Sequence, residues 1–102
     1  MDMVMKLGTE HPVVIFSKTS CGISHTVTTL IRGFGAKLVI HELDELPNGH
    51  EIETALMALG CNPSVPAVFI GKQFIGGSNE IMSLYIRGKL KPLLINANAI
   101  WI

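Results

Sequence analysis

Cys21 is the side chain best placed to do chemistry. It ends a polar loop, Ser17 to Ser20, and stands immediately before a helical pattern. The first-turn amides of a helix have no partners within the helix, and the macrodipole adds partial positive charge there. Lys18, three residues upstream, brings a full positive charge. All three favour a charged sulfur over a neutral thiol, which makes Cys21 the expected nucleophile. Its neighbours Thr19, Ser20, Gly22 and Ser24 are small or polar, unlike the surroundings of a buried structural cysteine. The second position of a dithiol motif is Ser24, which cannot close a disulfide. A redox cycle through Cys21 must therefore be resolved by an external thiol.

The other candidates are weaker. Cys61 follows Leu59-Gly60 at a helix end with no base nearby, and reads as inert packing. His25 could tune Cys21 or pair with Ser24; a helix-surface residue is the plainer reading. His11, His25, His41 and His50 show no i, i+4 spacing, so no zinc site is expected.

Cys21 needs a strand before it and a helix after it, and the pattern supplies both. Val13-Val14-Ile15-Phe16 is a short, continuous, β-branched run, as a buried strand should be. Ile23, Val27, Leu30, Ile31 and Phe34 then recur at helical spacing up to Gly33 and Gly35. Leu38-Val39-Ile40 reads as a second strand. Asn48 followed by Glu51 resembles a capping box opening a helix with Ile52, Ala55, Leu56 and Leu59 on one face, stopped by Gly60. Ala67 to Ile70 is a third strand, Gly71-Lys72 a hairpin turn, and Phe74-Ile75 a fourth. Ser78 reads as the N-cap of a helix carrying Ile81, Leu84 and Tyr85. A last helix starts near Leu90, with Pro92 in its first turn. The order βαβαββαα implies an α/β fold: a four-stranded mixed sheet with helices on both faces, in a single domain over residues 1–102.

Composition agrees. Of 102 residues 48% are hydrophobic and 16% charged, enough for one packed core. No apolar run reaches the length of a membrane span, and Met1 to Thr9 lacks the long apolar stretch of a signal peptide. Two cysteines build no disulfide framework. These features lead us to expect a cytoplasmic and nuclear protein. The formal charge is zero but segregated. Glu42, Asp44, Glu45, Glu51 and Glu53 crowd a stretch without Lys or Arg, while Lys72, Arg87, Lys89 and Lys91 face only Glu80 in the last third. This is no nucleic-acid footprint, and two solvated faces of opposite sign is the plain reading.

Several segments together resemble a known family. Val13 to Ser24 (V-V-I-F-S-K-T-S-C-G-I-S) is similar to a glutaredoxin first strand and active-site loop. Ser64-Val65-Pro66 resembles that family's T-V-P segment, whose proline is cis, and Gly76 to Glu80 its G-G-x-[DN] loop. The finer resemblance is to the plant-specific CC-type (class III) glutaredoxins. It rests on Leu43 to Glu53, on Leu59 to Gly71, on an L-x-x-L-L motif from Leu90 to Leu94, and on the tail Ala99-Ile100-Trp101-Ile102. One departure stands out. The class is named for two adjacent cysteines, and the second is Gly22 here. Cys21-Gly22-Ile23-Ser24 instead resembles the C-G-F-S motif of monothiol, cluster-binding glutaredoxins, without the W-P that class carries after its middle helix.

The resemblance implies a thioredoxin fold and a monothiol glutaredoxin, with Cys21 carrying out glutathione-dependent thiol–disulfide exchange. It implies a glutathione site formed by Lys18, the backbone of Val65 before cis-Pro66, and the helix start at Gly77, Ser78 and Asn79. It also implies TGA-type bZIP transcription factors as partners of Ala99, Ile100, Trp101 and Ile102, the plainer reading being a tail folded back to cover the core, with a co-repressor at Leu90 to Leu94; inward packing of those leucines is the other reading, and the favoured one. Two alternatives to the enzyme follow from the same motifs. One is a non-catalytic transcriptional adaptor. The other is a dimer, otherwise a monomer, in which Cys21 of each chain and two glutathiones ligate a [2Fe-2S] cluster.

Overall fold

A computed structural model describes residues 2–60 and 65–100. The elements run α1 (Asp2–Gly8), β1 (Val13–Ser17), α2 (Gly22–Arg32), β2 (Val39–Glu42), a 3₁₀ turn (Leu43–Glu45), α3 (Gly49–Ala58), β3 (Ala67–Ile70), β4 (Gln73–Gly76), α4 (Ser78–Ile86) and α5 (Leu90–Asn96). The strands lie in the order β2-β1-β3-β4. β1 pairs with β2 in parallel, and both β1–β3 and β3–β4 are antiparallel. This is the expected mixed sheet of the thioredoxin fold, with one addition. A helix, α1, that the hydrophobic pattern did not predict stands ahead of β1. α1 has only seven residues, too few to be stable alone. Val4 is fully buried and Leu7 packs beside it, so the helix exists through its contact with the sheet.

Each face of the sheet holds its own core. Val13 and Ile15 of β1, with Val68 and Ile70 of β3, face α2, α4 and α5 through Val27, Ile31, Ile81, Leu90 and Leu94. Val14 and Phe16, with Ala67 and Phe69, face α1 and α3 through Val4, Ile52 and Leu56. Alternation along a strand sends successive side chains to opposite faces. β1 and β3 are covered on both sides, hence their continuous apolar runs. The His41 ring lies on the second face, stacked against Phe16 at 5.5 Å, and burial pushes its pKa down.

Several local expectations are corrected. Ile23 points outward, with 57% of its surface exposed, while Ser24, Val27, Thr28 and Ile31 form the inward face of α2. Spacing of i, i+3, i+4, i+7 from Ser24 places that serine, not the isoleucine, inside. Asn48 precedes α3 but makes no side-chain capping bond. α4 is capped by Gly77, with Ser78 as its first helical residue. Gly49 has a packing role: a Cβ there would lie 1.8 Å from the Leu43 carbonyl oxygen, so only glycine lets α3 approach the 3₁₀ turn this closely.

In the C-terminal segment the leucines follow the favoured inward-packing reading, and the tail corrects the partner reading at Ala99. Leu90 and Leu94 are buried in the first core, and Leu93 packs against it. The L-x-x-L-L motif is therefore occupied by the fold and not offered to a co-repressor. After α5, Asn98 takes a left-handed conformation, φ 60°, that turns the chain back. Ala99 is then buried, its N–H donates to the Leu94 carbonyl at 2.9 Å, and its carbonyl accepts from Lys37 N–H at 3.1 Å. Ile100 packs on the same core. Ala99 is thus a core residue and not a partner contact; Trp101 and Ile102 lie outside the described residues. Removing residues 99–102 is expected to lower stability by about 1–3 kcal/mol through lost burial, measured by urea denaturation. An unchanged midpoint would contradict this placement.

Candidate active site

The topology gathers four segments at one end of the sheet. β1 and β2 run in parallel, so Lys18 after β1 and Asp44 after β2 leave from the same end. β3 runs the other way, with Ala67 opposite Phe16, so Val65 and Pro66 enter it beside the point where β1 exits. β4 reverses again, and Gly76 beside Val68 brings Gly77 and Ser78 to that same end. Residues far apart in sequence therefore line one rim.

Cys21 is the N-cap residue of α2 itself. Its backbone is extended, φ −90° and ψ 104°, and the Ser24 N–H donates to its Sγ at 3.4 Å. The sulfur takes the place that a serine or aspartate oxygen usually holds at a helix start. The loop before it is a tight turn closed by Cys21 N–H to the Lys18 carbonyl, 2.9 Å. The thiol is half-buried and packs against the cluster containing Phe16 and Val65. The Val65–Pro66 bond is cis. Apart from its chain neighbours and the helix's own backbone, nothing lies within 4 Å of where a Gly22 Cβ would stand. Ser24 Oγ is buried and has no hydrogen-bond partner among the described residues.

Thr19 is held on every side. Its N–H and hydroxyl both donate to the Asp44 carboxylate, the amide at 3.1 Å to Oδ1. Its carbonyl meets His25 Nε2 at 3.1 Å, so that ring nitrogen carries the proton and donates. His25 is exposed, as expected, but it pins the active-site loop and does not pair with Ser24. The Thr19 hydroxyl and then its amide hold the Asp44 carboxyl below the usual carboxylate range. Lys18 is also engaged: Nζ forms an ion pair with Glu53 Oε2 of α3 at 2.5 Å. Two of the five acids read as a solvated face thus secure the loop before Cys21. Charge segregation was the only signal of this in the sequence, and it does not say which acids fold inward.

At the far side of the rim, the Gly77 N–H donates to Glu80 Oε1 at 2.6 Å. Gly76 has φ 132°, and a Cβ on it would meet the Glu80 carboxylate at 2.5 Å. Gly77 and Ser78 are half-buried and Asn79 is exposed. Cys61 and Ser64 lie outside the described residues. No group of three His, Cys, Asp or Glu that could hold a metal occurs among the described residues.

Residues 13–75, from β1 to β4, match the glutaredoxin family. The chain belongs to that family. Among its relatives, monothiol glutaredoxin-S6 of Arabidopsis thaliana is 56% identical over the full length of both chains, and monothiol glutaredoxin-S1 of the same plant is 55% identical over the same span. A crystal structure of the buckwheat glutaredoxin–glutathione complex superposes with a TM-score of 0.92 at 37% identity, covering 98% of this chain and 91% of that one. The holo form of glutaredoxin C1 from Populus tremula x tremuloides gives 0.89 at 38% identity, covering 94% and 95%. The glutaredoxin is of the plant monothiol type, and Ser24 at the second motif position fits that group.

The Asp44–Thr19 bonds carry a pH signature. A carboxyl with a lowered folded-state pKa contributes stability above its unfolded value, about 3.9, that is lost as pH falls through the folded value. Wild type should therefore melt above Asp44→Ala at neutral pH, with the gap closing below about pH 4. Thermal melts of both proteins from pH 7 downward check this. A gap that is constant with pH would show that the carboxylate charge plays no part.

Proposed function

We propose that this protein is a glutathione-dependent thiol–disulfide oxidoreductase, acting on mixed disulfides through Cys21. The observation that carries the reading is the Cys21 sulfur capping α2 at the sheet end that also holds Val65–Pro66 and the Gly77–Ser78 loop. The Cys21 thiolate attacks the glutathione sulfur of a mixed disulfide. A bond forms between Cys21 and glutathione, the substrate's own S–S bond breaks, and the released thiolate takes up a proton. A second glutathione, as its thiolate, then attacks the glutathione sulfur held on Cys21. Glutathione disulfide leaves and the Cys21 thiolate returns. In sum, one mixed disulfide and one glutathione become one protein thiol and one glutathione disulfide. Ser24 offers no sulfur for an internal shortcut, so the cycle is monothiol.

Within that scheme the Val65 backbone docks the glutathione peptide as an added strand. Lys18 and the opening amides of α4 at Ser78 and Asn79 receive its carboxylates. The buckwheat complex, similar in fold over nearly the whole chain, supports glutathione as the ligand. Reducing compartments, the cytoplasm and nucleus, are where such a thiol stays available.

A second reading has one observation behind it. Gly22 adds no side chain at the position after Cys21, and the space where its Cβ would stand is open apart from its chain neighbours and the helix's own backbone. Among the described residues one chain presents Cys21 alone, so a [2Fe-2S] cluster would take Cys21 from each of two chains and two glutathione thiolates to reach four sulfur ligands. An adaptor role toward TGA-type bZIP factors rests on the resemblance of the tail. With Ala99 in the core, recognition falls to Trp101 and Ile102.

One pair of proteins tests these readings together. Cys21→Ser should lose turnover of a glutathionylated peptide down to the uncatalysed rate, and should fold normally. After anaerobic reconstitution with glutathione, wild type should give a coloured dimer and Cys21→Ser a colourless monomer. Binding of a TGA-type factor should survive Cys21→Ser and be lost when Trp101 and Ile102 are removed. Turnover retained without Cys21 would end the enzyme reading, a colourless wild type the cluster reading, and binding that outlasts the truncation the tail assignment.

A further inference from the structure

Around the proposed glutathione site, the chain's own carboxylates occupy positive and donor groups that an anionic ligand would use. Glu53 Oε2 lies 2.5 Å from Lys18 Nζ, with the lysine 35% and the glutamate 23% exposed. Asp44, across the same turn, also lies within the field of Lys18. Glu80 takes the Gly77 N–H at the other end of the rim. Lys18 therefore carries one positive charge against two nearby negative ones. Glutathione brings two carboxylates and one ammonium, so its net charge is also negative.

We propose that Glu53 is a specificity-determining residue that weakens capture of glutathione by competing for Lys18. This rests on the reading of Lys18 as a glutathione contact. A ligand carboxylate reaching Lys18 must displace that of Glu53 or share the lysine with it, and either alternative costs binding. The pair is partly exposed, so the competition is modest. Glu53 sits on α3, held over the sheet by buried Ile52 and Leu56. Its backbone is thus fixed, so displacing the pair falls to the side chains of Glu53 and Lys18. Glu80 is a poorer gate, because its bond to Gly77 also closes the start of α4.

The test compares wild type, Glu53→Gln, Lys18→Ala and the double variant. Each is mixed with glutathione disulfide, and glutathionylation of Cys21 is followed by mass spectrometry. In this step the Cys21 thiolate attacks one sulfur of the disulfide, a Cys21–glutathione bond forms, and the other glutathione leaves as a thiolate that is then protonated. Hydroxyethyl disulfide, which has no carboxylate, serves as the second substrate. The readout is the ratio of the two rates, which removes any change in sulfur reactivity, and thermal melts check folding.

Glu53→Gln should raise that ratio about two- to fivefold, the range expected for a partly exposed ion pair. Lys18→Ala should lower it, and Glu53→Gln should have no effect on the ratio in the Lys18→Ala background. A ratio that is unchanged or reduced by Glu53→Gln overturns the inference; a reduction would mean that Glu53 orients Lys18 for the ligand. A Lys18→Ala ratio equal to wild type overturns it as well. If no protein forms a Cys21–glutathione bond while hydroxyethyl disulfide still reacts, the glutathione reading itself falls, and the inference with it.

Discussion

β1 and β3 lie side by side at the centre of the sheet, with Phe16 opposite Ala67 and both strands covered on both faces. Their antiparallel register decides what can meet at the rim. It brings the exit of β1, with Lys18 and Cys21, next to the entry of β3, with Val65 and Pro66. A slip of one residue would move every side chain of a strand to the other face and separate the two. Both cores oppose such a slip, because Val13 and Ile15 pack on one side while Val14 and Phe16 pack on the other. The position of the reactive sulfur is therefore a consequence of core packing.

On that frame the active-site loop is held by polar contacts from elements distant in sequence. Asp44 and His25 take the amide, hydroxyl and carbonyl of Thr19, and Glu53 takes Lys18. These are exposed or partly exposed contacts, each weak compared with the core, but together they fix a loop that has little apolar surface of its own. The sulfur of Cys21 adds a cap to α2. In the proposed function, holding the loop and binding a ligand draw on the same small set of groups, with Lys18, the proposed glutathione contact, already paired to a carboxylate from α3.

The periodicity of the strands and helices was readable because burial imposes it. Val13 to Phe16 and Ala67 to Ile70 are apolar throughout because both faces of those strands are covered. Gly71 and Lys72, with φ 60° and 70°, form the turn that their position between two strands suggested. α1 was not readable: its seven residues span under two turns, too short for Met3, Val4, Met5 and Leu7 to set a period, and its helix depends on the sheet beneath it. Ile23 and Ser24 were exchanged for a related reason. An apolar residue at the start of a helical stripe looks like core, but the sheet end lies one position further round the helix.

What the sequence determined by itself was the chemistry on offer: one thiol at a helix start, no second sulfur in the motif, and a glycine-rich turn before a later helix. Those are properties of residue type and short spacing, which local physics can evaluate. Tertiary structure alone decided which charges face that thiol's loop. Asp44 and Glu53 lie 25 and 35 residues from their partners Thr19 and Lys18. No local rule connects them until β1, β2 and α3 are packed. The same holds for the tail, where Ala99 looks like an exposed apolar end until the turn at Asn98 tucks it beneath Lys37 and Leu94. An apolar side chain does not itself specify whether it meets the chain's own core or a partner; the space left by the other elements does.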